Sequence, residues 1–124
     1  MHNPSFFSLK RTTEHVMRKG NFTTSTMGIL IDVTNSLYRE RDKDYITELK
    51  IIDETLNDDS VIGVMIKYCT VYVFSNEDMK MNFCNKIGQI IYLDHFTFQI
   101  WHNIKFQTKF LSRTENIICF EEEN

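Results

Sequence analysis

Residues that break regular structure are scarce in this chain, with one proline and four glycines in 124 positions. That leaves little room for a flexible linker. With no internal repeat or low-complexity segment either, a single domain is the natural count, long enough to bury one core. No run approaches the roughly 18 apolar residues of a membrane-spanning helix. The N-terminal stretch MHNPSFFSLKRTT has no apolar core of signal-peptide length, so an intracellular location is expected. Cysteine is sparse and odd in number: Cys69, Cys84 and Cys119 stand far apart, and no C-x-x-C occurs. His2, His15, His95 and His102 make no ligand spacing with them, so reduced thiols in or near the core are expected, and no metal or other cofactor. A glycine-rich phosphate loop, a G-x-S-x-G and an H-E-x-x-H are all missing, and an enzyme is not indicated. Positive charge is also short, with 14 Lys and Arg against 17 Asp and Glu, for a net charge of −3. Without Glu121, Glu122 and Glu123 the rest of the chain is neutral by formal count. A domain that holds phosphates by counterion release alone should be basic. Any nucleic-acid partner must therefore be held more by stacking and base contacts than by charge.

What is present reads as a β-rich protein with 42% hydrophobic residues, enough for a globular core. Thr12 or Thr13 is expected to cap a short helical turn through Met17 that Gly20 ends, with Phe6, Phe7 and Leu9 tucking it against the body. Gly28–Thr34 reads as a strand, followed by a charged loop from Asn35 to Asp44, NSLYRERDKD. Tyr45–Asp53 alternates, with Tyr45, Thr47, Leu49 and Ile51 on one face and Glu48 and Lys50 on the other. Asp53 and Thr55 close it, the Asp side chain accepting a backbone N–H two residues on. Residues 56–68 are ambiguous between strand and edge piece. In Thr70–Phe74, Val71 and Val73 are expected inward and Thr70, Tyr72 and Phe74 outward. Ser75-Asn76 offers a cap for a short helical connection over Glu77–Asn85. A fourth strand starts at Gly88 and runs to Trp101. A polar turn at His102-Asn103, a fifth strand over about Ile104–Leu111 and a closing piece Ile117–Phe120 complete the chain. Five strands with a helix between the third and fourth is the layout of a five-stranded, all-β OB-fold barrel. Its expected limits are an N-terminal extension over 1–21, a barrel over 22–120 and an acidic tail over 121–124.

The stretch GQIIYLDHFTFQIWHNIKFQ, Gly88–Gln107, puts a Trp, a Gln and a His on one face and large apolar residues on the other. An indole on an open sheet face suggests single-stranded nucleic-acid binding. Base–aromatic stacking contributes about 1–3 kcal/mol per base, and OB-folds bind oligonucleotides across the face of their second and third strands. Phe74, Trp101 and Tyr72 are the stacking candidates, set against the alternative that they pack beneath the N-terminal segment or the tail. In the first loop, Tyr38, Arg41 and Asp44 could read base edges, Arg bidentately to guanine and a carboxylate by accepting base N–H groups. The alternative there is a solvated charged turn. Gln99, His95 and His102 could reach base edges, Lys105 could neutralise a phosphate, and Lys50 points outward toward the same groove.

DYITELKIIDET (Asp44–Thr55), VYVFS (Val71–Ser75) and the Gly88-x-Ile-Ile run through Trp101 resemble the N-terminal OB-fold of the telomere end-binding protein alpha subunit and protection-of-telomeres family, over roughly Phe22–Phe120. In that family an Ile/Val-Asp-x-Thr turn follows a charged first loop, and later aromatics correspond to Phe74 and Trp101. Gln89, Tyr92, Asp94 and His95 depart from the family pattern, which carries an Asp after the glycine and cations beyond it. The family usually has a second barrel; one barrel implies a shorter site, the alternative being that this sequence is a piece of a two-barrel protein. The resemblance implies sequence-selective binding of the G-rich 3′ overhang, protection of chromosome ends, control of telomerase access, and a nuclear, telomeric location. Single-stranded telomeric DNA and other telomere-complex proteins are the expected partners, with no membrane and no small-molecule substrate. Two other readings stay open. One is an OB-fold subunit that binds protein and touches DNA weakly or not at all, for which large aromatics would be interface anchors. The other is a generic single-strand or RNA binder.

Overall fold

The structure, a computed structural model, describes residues 8–57, 68–100, 108–113 and 117–120. In chain order the elements are helix α1 (Leu9–Lys19), strands β1 (Phe22–Arg39) and β2 (Asp44–Ile52), a single 3-10 turn (Glu54–Asn57), β3 (Cys69–Ser75), helix α2 (Lys80–Cys84), β4 (Ile90–Ile100), β5 (Thr108–Arg113) and β6 (Ile117–Phe120). The strands pair in the order β1-β2-β3-β5-β4, and β4 pairs again with β1, so five strands form a ring while β6 adds to β4. All neighbours are antiparallel except β3 and β5. This is the expected OB-type barrel, with a short helix between its third and fourth strands and a helix at the N-terminus. A ring of strands leaves few unpaired backbone edges for aggregation.

β1 is what joins the ring. Its first half, from Phe22 to Ile29, pairs with β4, and its second half, from Ile29 to Arg39, pairs with β2. Gly28 sits at the changeover. A Cβ there would lie 2.9 Å from the Ile52 carbonyl oxygen and 3.3 Å from the Ile51 side chain. The strand can change partners at that point because the residue has no side chain.

The period-2 patterns of β2 and β3 hold residue by residue. Thr47, Leu49 and Ile51 are buried, as are Cys69, Val71 and Val73. They meet Leu30, Val33, Ile91 and Leu93 from the facing strands, together with Leu9 of α1, Leu56 of the 3-10 turn and Phe83 of α2. The intervening residues of β2 and β3 point out of the barrel and form the surface considered below.

Several boundaries differ from the sequence expectation, the first being the start of β1 at Phe22 rather than Gly28. α1 starts at Leu9, not at a Thr12 or Thr13 cap. Ser8 Oγ accepts the Arg11 N–H, Asp53 Oδ2 accepts the Leu9 N–H at 2.9 Å, and Thr55 Oγ1 accepts the Lys10 N–H. Three N–H groups of the first turn are satisfied, two of them by residues more than 40 positions away. Thr12 and Thr13 are buried inside the helix, and the Thr13 hydroxyl donates back to the Leu9 carbonyl. Gly20 follows the helix at φ +88, the left-handed conformation that suits glycine there.

Next, β1 does not stop at Thr34, and the expected ten-residue charged loop shrinks to a turn over 40–43. Ser36, Leu37, Tyr38 and Arg39 pair with Thr47, Ile46, Tyr45 and Asp44, so the hairpin continues to its tip. Finally, Asp78 rather than Ser75-Asn76 serves the start of α2: its carboxylate accepts the Lys80 N–H at 3.0 Å, while the Ser75 hydroxyl donates to the Glu77 carbonyl. Phe6, Phe7, the ambiguous residues 58–67, the His102-Asn103 turn and the start of the expected fifth strand lie outside the described residues.

The thiols follow expectation where they are described. Cys69 and Cys84 are free. Cys69 is fully buried, with its sulfur 3.8 Å from Thr13 Oγ1. Burial pushes its pKa up to about 12, which makes it an inert core residue rather than a nucleophile.

Candidate nucleic-acid interface

Residues directly opposite one another on antiparallel strands share a face, so strand register alone assembles the outer surface of β1, β2 and β3. At the hairpin tip stands Arg39 opposite Asp44. The next row is Leu37, Ile46 and Phe74. Below it Glu48 faces Tyr72, and below that Asp32, Lys50 and Thr70 line up. An apolar strip is thus flanked by polar rows on both sides. Leu37 is 61% exposed, a large apolar side chain left open on that strip.

Each polar row is internally wired. Arg39 Nε and Nη2 donate to Asp44 Oδ1 and Oδ2, both at 2.7 Å, a bidentate pair. The same guanidinium lies over the Phe74 ring, 4.6 Å from its centroid. A third link runs from Arg39 Nη1 to Asp42 at 3.4 Å. Hydrogen bonding to Asp44 accordingly raises the Arg39 pKa. In the middle row the Thr34 hydroxyl donates to Glu48 Oε2 at 2.7 Å, and the Tyr72 hydroxyl approaches Oε1 at 3.4 Å. Burial, then the Glu48 charge, raises the Tyr72 pKa. In the last row Lys50 Nζ stands 3.9 Å from Asp32 and 4.8 Å from the centre of the Tyr68 ring. These cations and carboxylates are already paired with each other, which accounts for a potential site on a chain with no basic excess.

Of the residues singled out from sequence, Phe74, Tyr72, Asp44 and Lys50 are brought together on this one face. Arg41 is exposed in the 40–43 turn beside them. Tyr38 is not on that face. It pairs with Tyr45, on the side of the hairpin that carries Thr47 and Leu49, and its ring meets Tyr45 edge-on at 5.0 Å. The cause is the longer hairpin: once residue 38 belongs to a strand, alternation fixes its side. His95 falls at the irregularity where β1 and β4 shift register, and Gln99 pairs with Lys109 of β5. Trp101, His102 and Lys105 lie outside the described residues. Among the described residues no three His, Cys, Asp or Glu side chains gather around a metal position.

Arg39 is the residue sequence reading passed over in favour of its neighbour Arg41. The signal was available. A cation and an acid separated by a four-residue charged turn become cross-strand partners once the turn is read as a hairpin.

On β4 two departures from the family pattern have structural employment. The Ser25 hydroxyl donates to Asp94 Oδ1 at 3.0 Å, and the Tyr92 hydroxyl donates to the same oxygen at 3.3 Å. An acid and a phenol occupy positions where cations would attract phosphate.

Comparison with known proteins agrees with the fold. A crystal structure of a Pot1 (protection of telomere)–ssDNA complex superposes with a TM-score of 0.60 at 21% identity, over 90% of this chain and 60% of that one. A fission yeast Pot1 and ssDNA crystal structure gives 0.59 at 21% identity, over 90% of this chain and 33% of that one. Schizosaccharomyces pombe Pot1pC bound to ssDNA (CGGTTACGGT) gives 0.53 at 11% identity, over 96% and 88%. This chain therefore spans less than two thirds of the length of the first two. No curated protein matches the sequence at a significant level. The model of a family described as telomeric single-stranded DNA binding, POT1/CDC13, matches residues 4–122. With that match running over nearly the whole sequence and an OB-type ring of strands beneath it, the chain belongs to the POT1/CDC13 family of telomeric single-stranded DNA-binding proteins.

Proposed function

We propose that this protein binds single-stranded, G-rich telomeric DNA across the outer face of β1, β2 and β3, and acts by binding rather than by catalysis. The observation that carries this reading is Arg39, held bidentately by Asp44 over the ring of Phe74. An aromatic ring with a guanidinium on it is a stacking platform for any base, since both groups present a delocalised face. The ion pair is also an exchangeable one. A base edge with N–H donors can take over Asp44, and a phosphate or guanine edge can take over Arg39. Phe74 and Trp101 stack bases, Asp44 and Arg41 read edges, and Lys50 and Lys105 meet the backbone. Because Arg39 and Lys50 come already paired with Asp44 and Asp32, phosphate contributes little, and base contacts carry the affinity. The reading extends to a nuclear role at chromosome ends, in protection of the 3′ overhang and regulation of telomerase access.

The test is fluorescence anisotropy with a labelled G-rich telomeric oligonucleotide at low and moderate salt, beside a scrambled control. Tight binding that prefers the telomeric strand and survives added salt supports the proposal. A steep loss with salt and no sequence preference would show phosphate contact alone.

A protein-binding role is the second reading, favoured by the Ser25–Tyr92–Asp94 cluster where β1 meets β4 and by exposed Leu37. Absence of any oligonucleotide binding at low salt would favour it.

A further inference from the structure

Among the described residues, the outer face holds one acid whose contacts include no cation. Asp32 meets Lys50 and Asp44 meets Arg39, but Glu48 meets two hydroxyls, Thr34 and Tyr72. A carboxylate offers about four acceptor sites. Here one oxygen takes a 2.7 Å bond and the other a long contact of 3.4 Å, so most of that capacity remains. The two hydroxyls come from β1 and β3 on either side of β2, and they hold the carboxylate upright in the middle of the face. Its row lies next to that of Phe74. Adjacent same-face rows on a strand are about 6.7 Å apart, a distance that a purine ring plus one hydrogen bond spans.

We propose that Glu48 is a guanine-selecting residue: its carboxylate accepts the ring N–H and the exocyclic amine of a guanine whose ring stacks at Phe74. Guanine is the one common base with two donors side by side on its pairing edge. Adenine and cytosine each put an acceptor beside their amine, and thymine flanks its single N–H with carbonyls. Those bases would bring lone pairs against a fixed carboxylate, so the residue rejects as well as selects. Single-stranded bases are read at these edges once unstacked. The inference rests on the DNA-binding reading above and assigns its base preference to one side chain.

The experiment is an inosine scan. Inosine lacks the exocyclic amine but keeps the ring N–H. Each guanine of a G-rich oligonucleotide is replaced in turn, and binding is measured for the wild type, Glu48→Gln and Tyr72→Phe. The wild type should lose about fivefold or more at one position. Glu48→Gln should bind the all-guanine strand about tenfold more weakly and show no further loss at that position. Tyr72→Phe keeps the ring and removes one of the two hydroxyls that hold the carboxylate, so its scan should keep the same sensitive position with a smaller loss there than the wild type shows. Unfolding curves for all three proteins separate lost binding from lost folding. Unchanged or increased affinity of Glu48→Gln for the all-guanine strand would overturn the proposal, an increase being the sign of a carboxylate that merely repels phosphate. So would a wild-type scan with no sensitive position. If the wild type binds no oligonucleotide at all, the DNA-binding reading fails with it.

Discussion

β2 carries an aspartate at each end, and the two have opposite employment. Asp53, just past its C-terminal end, accepts the Leu9 N–H from one carboxylate oxygen and the Thr55 N–H and hydroxyl with the other. Its partners are mostly backbone groups, fixed by the fold and unable to leave without unfolding the start of α1. Asp44, the first residue of the strand, is held by Arg39, a long side chain at the end of a hairpin. The same kind of carboxylate is thus a clamp where it meets main chain and, in the proposed function, a ligand that a base edge can take over where it meets a side-chain cation. Both belong to the Asp44–Thr55 segment that resembles the family, so sequence likeness alone could not sort them.

The sharpest way to break this contrast is to remove each acid in turn. Asp53→Ala leaves two backbone N–H groups without their acceptor and strips a negative charge from the helix N-terminus. It should cost about 3 kcal/mol of unfolding free energy, measured by urea titration followed by circular dichroism. Asp44→Ala should cost less than about 1 kcal/mol, as partly exposed ion pairs do, while changing oligonucleotide affinity. Equal destabilisation by the two would erase the distinction.

The next effect tests how tightly the Asp53 end is packed. Cys69 lies there against Thr13 of α1, and burial first, with a smaller push from Asp53, raises its pKa from 9.0 to about 12. In the unfolded chain the thiol ionises near its ordinary value. Its contribution to stability is therefore complete below about pH 9 and is lost as pH rises toward 12, at up to about 1.4 kcal/mol per pH unit. Tyr72, also raised by burial, adds a loss of the same sign at its own, higher range. Cys69→Val should flatten the alkaline slope over that interval. A slope identical to the wild type would mean that the thiol reaches water.

How much of this was legible in the sequence follows the same division. Alternation in Thr47, Leu49, Ile51 and in Val71, Val73 exposed the inner and outer faces, because a half-buried strand writes its burial with period 2. The Asp53–Thr55 turn was legible because its bond is local. The start of α1 was not, since two of its capping acceptors sit 44 and 45 residues away. Nor was the hairpin tip. NSLYRERDKD has the composition of a loop, and only pairing of Tyr38 with Tyr45 and Arg39 with Asp44 turns its first half into strand. That pairing carried Tyr38 away from the Phe74 face and put Arg39 on it.

At the Asp44 end, Phe74→Ala should weaken binding of the telomeric oligonucleotide by about 1–3 kcal/mol, roughly 5- to 150-fold, while the urea midpoint moves little, because Phe74 lies on the outer face and outside the buried core. Unchanged affinity would remove the stacking platform from the mechanism and leave the face to a protein partner.

The finest test concerns whether Asp44 acts on DNA directly or through Arg39. If its role is to hold the guanidinium over Phe74, then Asp44→Ala and Arg39→Ala should each weaken binding and the double variant should lose little more than the worse single one, a coupling of about 0.5–3 kcal/mol. If Asp44 leaves Arg39 on binding and accepts from a base edge, the two losses should add. The stability cycle for the same variants should show a coupling below about 1 kcal/mol, because Arg39 is also tied to Asp42 and Phe74 and keeps those contacts when Asp44 goes. A large coupling in stability with none in binding would reverse the comparison, making Asp44 a clamp like Asp53.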